Sequence, residues 1–323
     1  MRSAKVVKNF ITRGTQVRIA ALLLSLLLIV AACGPQAAEP TIAPTVEAEA
    51  ASSEIGLALS NLSNPFFAEL RDGATEAAER LGVELVVVDA EDDAAQQNEQ
   101  IQSLIDQGVG ALLINPVSSD EVVSAIEAAN SAGIPVFTID RSAADGEVVS
   151  HIASDNAAGG EMAANYLAES LGESGNVVEL TGIEGTSAAT ERGAGFNEAL
   201  AEFENIEIVA RETANFSREE GQQVFAEILA EQEDIDGVFA HNDEMILGAI
   251  EAAREAGRLE DIRFIGFDAV EDAITALESG ELLATVAQQP AEMGRLGVET
   301  AANHLEGETV SDSIPVELAL ITR

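Results

Sequence analysis

From Glu54 onward, short apolar runs of strand length alternate with amphipathic stretches of helical period. EIGLALS (54–60), VELVVVD (83–89), ALLIN (111–115) and IPVFTID (134–140) read as strands. Between them, FFAELRDGATEAAERLG, AQQNEQIQSLIDQG and SDEVVSAIEAANSAG carry the helical pattern, and each ends in the glycine that commonly stops a helix. Strand and helix in alternation predict a parallel sheet with helices on both faces. The rhythm restarts after Ser154. Strands are predicted at NVVELTG (176–182), IEIVARE (206–212), GVFAHN (237–242), RFIGFD (263–268) and LLATVAQ (282–288), with helices beginning near Asn156, Ser187, Ser217, Asp243 and Val270. The fold class is therefore α/β, two doubly wound parallel-sheet lobes, and VVSHIASDN (148–156) marks the first crossing between them.

The N-terminus breaks this pattern. Met1 to Arg18 carries Arg2, Lys5, Lys8, Arg13 and Arg18 and no acid, and Ile19 to Val30 (IAALLLSLLLIV) is an apolar run. A basic start, a short apolar core and small residues after it make a secretory signal. The run is about a dozen residues, short of the ~20 that a membrane-spanning helix needs. Gly34 to Ser53 (GPQAAEPTIAPTVEAEAASS) is rich in Pro, Ala and Glu and has no periodicity, as expected of a solvated tether.

Charge and cysteine then narrow the chemistry. Beyond the signal the chain has 11 basic residues, all arginine, against 57 acidic ones, a net charge of −46. Such a surface repels nucleic acid and anionic lipid. It suits work in salty water, and an amino-acid bias of the whole lineage accounts for it equally well. Cys33 is the single cysteine. With it outside the folded part, disulfides, thiol catalysis and cysteine-ligated metals are excluded.

Several predicted strands end in polar residues: Asn115, Asp140-Arg141, Asn242-Asp243, Asp268 and Gln288. In open α/β sheets ligands sit outside the carboxyl ends of the strands, so two lobes face to face would gather these groups around one cleft. Polar residues also mark strand ends simply because turns begin there. Sugars present hydroxyls that donate and accept on a ring with apolar faces, and Asn, Asp, Arg and Gln supply the matching forks. Aromatics are scarce, at 11 Phe, one Tyr and no Trp. Phe66 and Phe67 stand together after the first strand, where two adjacent large residues cannot both face one core, so one is expected in the cleft. Phe216, in a strand-to-helix loop, is a second candidate.

In order along the chain, SNPFFAELRDGA, LLINP, IPVFTIDR, GEVVSHIASDNAAGG, GTSAATERGAGF, FAHNDEMILGA, IGFD and VAQQPAEMG closely resemble the ribose-binding proteins of ABC import systems, from about Glu54 to the C-terminus. IGFD alone occurs across the wider family of periplasmic sugar-binding proteins and lactose-repressor-like regulators. The resemblance implies the type I periplasmic-binding-protein fold. Its first lobe would hold 54–154 plus about 289–316, and its second 155–288 plus about 317–323. It implies ligand contacts at Asn64, Phe66, Phe67, Asn115, Asp140, Arg141, Arg192, Phe216, Asn242, Asp268 and Gln288, with no catalytic residue, metal or cofactor. Val30-Ala31-Ala32-Cys33 resembles a bacterial lipobox, which implies that residues 1–32 are removed and Cys33 is acylated, anchoring an extracytoplasmic, monomeric protein by lipid alone. The partners implied are D-ribose or a related monosaccharide and an ABC transporter permease. Another pentose, autoinducer-2 and a chemoreceptor partner remain open.

Other classes fit less well. His151, His241 and His304 form no cluster at metal-ligand spacing, and there is no nucleophile elbow. Asp140 and Asp268 are placed beside arginines, which is expected to keep them ionised and suits hydrogen-bond acceptance better than acid–base catalysis. GIEGTS (182–187) lacks the lysine of a phosphate loop and reads as a turn. A sugar-sensing transcription regulator would need a basic DNA-binding head where this chain has a signal and an acidic tether.

Overall fold

The computed structural model describes residues 54–323. The signal, Cys33 and the tether through Ser53 lie outside the described residues. Along the chain come β1 (Glu54–Leu59), α1 (Pro65–Leu81), β2 (Glu84–Asp89), α2 (Ala94–Gln107), β3 (Ala111–Ile114), α3 (Val123–Ser131), β4 (Val136–Ile139) and β5 (Ser150–Ser154). The chain then crosses to α4 (Asn156–Ser170), β6 (Ser174–Thr181), α5 (Ser187–Leu200), β7 (Asn205–Thr213), α6 (Arg218–Glu231), β8 (Gly237–Ala240), α7 (Asp243–Glu255), β9 (Arg263–Asp268), α8 (Glu271–Ser279) and β10 (Ala284–Ala287). It returns to the first lobe for α9 (Pro290–Leu305) and β11 (Ser313–Val316), and crosses once more into β12 (Ala319–Thr322).

Two six-stranded sheets result, in the orders β11-β5-β4-β3-β1-β2 and β12-β10-β9-β8-β6-β7. Every pairing is parallel except that of β12 with β10. The two orders correspond strand for strand, so β4 and β9 hold equivalent places, as do β3 and β8. Central strands β3, β4 and β8 are buried at every position, which is why they read as unbroken apolar runs. Each sheet has one apolar cluster on either face.

Asparagine or aspartate side chains cap four of the helices, α1, α2, α4 and α7. Asn64 Oδ1 accepts from Phe66 N–H at 3.0 Å, and Asn242 Oδ1 accepts from Met245 N–H at 3.0 Å. Helices α4 and α5 lie unusually close, because a Cβ on Gly160 would stand 2.2 Å from Arg192 O and one on Gly195 would stand 2.0 Å from Ala157 O. That closeness sets the depth at which α5 carries Arg192.

Strands β11 and β12 fall in stretches where the apolar pattern predicts no strand. Both are edge strands of four residues, and Pro315 inside β11 is tolerated because an edge strand has a side without a ladder. Among the described residues, no helix is long and apolar enough to cross a membrane.

Candidate functional site

The strand ends of the two sheets meet across a cavity lined by Asn64, Phe66, Phe67, Asp140, Arg141, Ala188, Arg192, Phe216, Asn242, Asp268 and Gln288. Its free space, counting the opening, is about 240 Å³. Ten of the eleven residues expected from sequence line it. The eleventh, Asn115, is set one layer back and fully buried. Its Nδ2 donates to Asp140 Oδ2 at 3.1 Å and to Ile139 O at 3.2 Å, while its Oδ1 accepts from Ser60 N–H at 3.2 Å. Asn115 thus holds Asp140 in place rather than facing the cavity.

Phe66 and Phe67 both reach the wall, where their adjacency alone pointed to one and the resemblance to both. They open α1 at the lip of the lobe, with ring centroids 5.1 Å apart in an edge-to-face arrangement, so the two faces of the first helical turn both border the cavity. The Arg141 guanidinium lies 5.2 Å from the Phe67 ring and 5.1 Å from the Phe216 ring, bridging the lobes by cation–π contact. Asn64, Phe67, Arg141 and Phe216 also border a second, outer cavity and so separate the inner one from the mouth of the cleft.

Strained backbone aims the carboxylates. Asp140 has φ 62°, and Arg141 N–H donates to Ile139 O at 2.7 Å, closing a three-residue turn about it. At the equivalent strand end, Asp268 and Ala269 have φ 119° and 62°, and in the aromatic loop Asn215 and Phe216 have φ 49° and 58°. Positive φ at non-glycine residues costs of order 1–3 kcal/mol each and persists where the surroundings over-determine it. Asp243 supplies part of that constraint: its carboxyl accepts from Thr285 Oγ1 at 2.8 Å and Val270 N–H at 2.9 Å, directly behind the Asp268 turn.

Arg192 is fixed on several sides. Its Nε donates to Asn156 Oδ1 at 2.9 Å and its Nη1 to His241 O at 2.7 Å, and the guanidinium lies 3.8 Å from the Phe267 ring. It approaches Asp268 Oδ1 at 3.8 Å, and Gln288 Nε2 donates to the same oxygen at 2.8 Å. His241 is anchored in turn by Glu179, at 2.9 Å from its Nε2. Burial presses the His241 pKa down, and the Nε2 hydrogen bond to Glu179 opposes it. Burial works to raise Glu179, but hydrogen bonds from His241, Arg211 and Asn197 hold it below its ordinary value.

The two cavity carboxylates differ from the sequence expectation. Asp140 and Asp268 are 4% and 7% exposed, and burial pushes both pKa values up despite Arg141 and Arg192, Asp268 to about 7. The arginines stand at 3.8 Å, beyond hydrogen-bond distance, so their attraction does not offset the loss of solvent. Burial, with the charge of Asp268, drives the Asp243 pKa well above its usual range. Two polar atoms of the cavity lining, Arg141 Nε and Gln288 Oε1, are buried without a hydrogen-bond partner in the protein.

Asn156, Glu179 and Ala188 shape the site although sequence reasoning did not place them there. Glu179 had left a signal, because a lone acid inside an apolar strand requires a buried partner. Among the described residues there is no group of His, Cys, Asp or Glu able to hold a metal ion.

A periplasmic binding protein domain model matches residues 55–309. The chain is 46% identical over 283 residues to the ribose import binding protein of Escherichia coli K12, covering 87% of this chain and 95% of that one. It is 45% identical over 269 residues to the ribose import binding protein of Bacillus subtilis 168, covering 83% and 87%. A solute-binding protein of an ABC transporter from Bacillus halodurans, solved with myo-inositol, superposes with a TM-score of 0.79 at 32% identity, over 84% of this chain and 96% of that one. These relatives are binding proteins and not enzymes, which agrees with the absence of a catalytic signature in the sequence.

Proposed function

This chain belongs to the periplasmic binding protein domain family, and we propose that it captures D-ribose, or a close pentose, between its lobes and delivers it to an ABC transporter permease. The observation that carries sugar binding is the inner cavity. Both lobes contribute aromatic faces and forked polar groups to it, and Arg141 Nε and Gln288 Oε1 are buried there without partners. Ribose in particular rests on the ribose import binding proteins that this chain matches over most of its length.

In this account Phe66 and Phe67 flank one side of the sugar ring and Phe216 closes over it from the second lobe. Asn64, Asn242, Arg141, Arg192 and Gln288 supply amide and guanidinium groups, while Asp140 and Asp268 accept from hydroxyls. Asn64 and Asn242 cap helices through Oδ1, which in Asn64 leaves Nδ2 for the sugar. Only the closed arrangement makes all these contacts, so sugar binding shifts the population toward closure. A ligand lacking one hydroxyl leaves a buried group unpaired, at about 1–3 kcal/mol.

The protein works outside the cytoplasm, held by a lipid on Cys33, with the closed outer face of both lobes presented to the permease. Calorimetric titration tests the pocket: one-to-one binding of ribose by the wild type, abolished in Asp140→Ala and Arg192→Ala, supports the reading. Unaltered heat in both variants contradicts it. For the anchor, Cys33→Ala should move the protein from the membrane fraction to the soluble one, and retention on the membrane would disprove lipidation at Cys33.

A further inference from the structure

The turn GIEGTS (182–187) leads from β6 into α5 and meets the first lobe through two hydrogen bonds. Ser119 N–H donates to Gly185 O at 3.1 Å, and Ser142 N–H donates to Ser187 Oγ at 2.9 Å. Ser119 follows β3 and Ser142 follows β4, so both donors belong to the first lobe and both acceptors to the second.

Each half is fixed before the other arrives. On the first lobe, Ser119 Oγ donates to Ser142 O at 2.6 Å and Ala144 N–H donates to Ser119 O at 2.8 Å, which binds the two donor segments into one unit. On the second lobe, Thr186 Oγ1 donates to Ile183 O at 2.8 Å and accepts from Ala189 N–H at 3.3 Å, fastening the turn to α5. Gly185 has φ 84°, a left-handed conformation that turns its carbonyl toward Ser119 and is easily adopted only by glycine. None of Ser119, Ser142, Gly185 or Ser187 lines the inner cavity.

We propose that this pair of hydrogen bonds is a closure latch, and that Ser187 and Gly185 set how long a captured sugar is held without touching it. The inference rests on the sugar-binding reading above. Hydrogen bonds made between lobes exist only when the lobes are closed. They therefore oppose opening and leave the first encounter of sugar with the open cleft unchanged. The latch also gives a use to a glycine-rich segment that carries no phosphate-binding lysine. Its two acceptors lead into α5, whose next residues are Ala188 on the cavity wall and, a turn later, Arg192. Closing the latch and seating Arg192 over the sugar are in this way one movement.

The test is Ser187→Ala in the full chain, with Ser187→Thr as the variant that keeps the hydroxyl. Thr186, not Ser187, caps α5, so the alanine removes the latch acceptor and leaves the cap intact. Dissociation of labelled D-ribose, chased with unlabelled ribose, should quicken about 3- to 10-fold in Ser187→Ala, as expected for one lost hydrogen bond. The association rate should be unchanged, and Ser187→Thr should restore slow release. Amide hydrogen exchange over 140–144 in the sugar-loaded, closed protein gives an independent reading, with faster exchange expected in Ser187→Ala alone. Equal dissociation and equal exchange in wild type and Ser187→Ala would overturn the latch, as would a loss of affinity confined to the association rate. A wild type that binds no ribose would defeat the ribose reading instead, and the release and exchange comparisons, run with the sugar that does bind, would still decide the latch.

Discussion

On the proposed reading, Asn115 separates two kinds of site residue, those that would meet the sugar and those that hold the groups which do. Its Nδ2 stands 3.1 Å from Asp140 Oδ2, and its Oδ1 satisfies the buried Ser60 amide. Asn115→Ala removes both. Leaving Ser60 N–H unpaired costs stability of about 1–3 kcal/mol, read as a fall in the urea midpoint at unchanged slope. Loss of the donor to Asp140 frees the carboxyl to rotate and raises its pKa further, since that hydrogen bond is among the influences lowering it. Hydrogen bonds to charged groups contribute about 1.5–3 kcal/mol, and if half to two-thirds of that reaches the sugar, ribose affinity falls about 4- to 30-fold. The decisive comparison is a double-mutant cycle measured by calorimetry. In an Asp140→Glu background, whose longer side chain takes the carboxylate out of register with Asn115 while keeping some binding, Asn115→Ala should change affinity less than about threefold. Equal losses in both backgrounds would refute the argument and return Asn115 to direct contact with the sugar.

Two further outcomes follow from the same geometry. Asp268 has its pKa raised to about 7. For a carboxyl raised in this way, its share of the stability of the sugar-free protein is full below the ordinary carboxylate range and is lost as pH climbs through 7. A hydroxyl donating to Asp268 favours the ionised form, so ribose should bind more tightly as pH rises through 7, with protons released. Calorimetry at pH 7 in two buffers of different ionisation enthalpy reads that release, and proton uptake would contradict it. Gly182 has no Cβ because the Phe216 ring fills that space, with its nearest atom 2.0 Å from where a Cβ would be. Gly182→Ala should displace the ring into the cavity and weaken ribose binding at least about fivefold, on the scale of a 1–3 kcal/mol overpacking cost; unchanged affinity would show that the ring does not need this seat.

Much of this organisation is legible in the sequence because parallel strands buried on both faces leave unbroken apolar runs. Their polar ends, Asp140, Asn242, Asp268 and Gln288, stand where such sheets present ligand groups. The resemblance to ribose-binding proteins supplied Arg192 and the role of each aromatic. What stayed hidden depends on distances across the fold. Asn115 and Asp140 occupy neighbouring strand ends alike in sequence, yet one faces the cavity and the other backs it. Asp140 and Asp268 lie beside arginines as expected, but solvent exclusion, which no local pattern records, outweighs a cation held at 3.8 Å. The contact of Ser142 with Ser187 joins residues 45 positions apart in different lobes, and nothing in either segment alone announces it. Strands β11 and β12 are four residues each, too short for a period of two to stand out.

The central claim is that the cleft is built for ribose. Calorimetric titration of protein unfolded and refolded to strip carried-over ligand, against D-ribose, other pentoses, hexoses and autoinducer-2, tests it most directly. The account predicts tight one-to-one binding of D-ribose, with weaker or absent heat from the others. Heat from a different sugar with none from ribose would contradict the ribose assignment, and silence across the whole panel from a folded protein would contradict the sugar site itself.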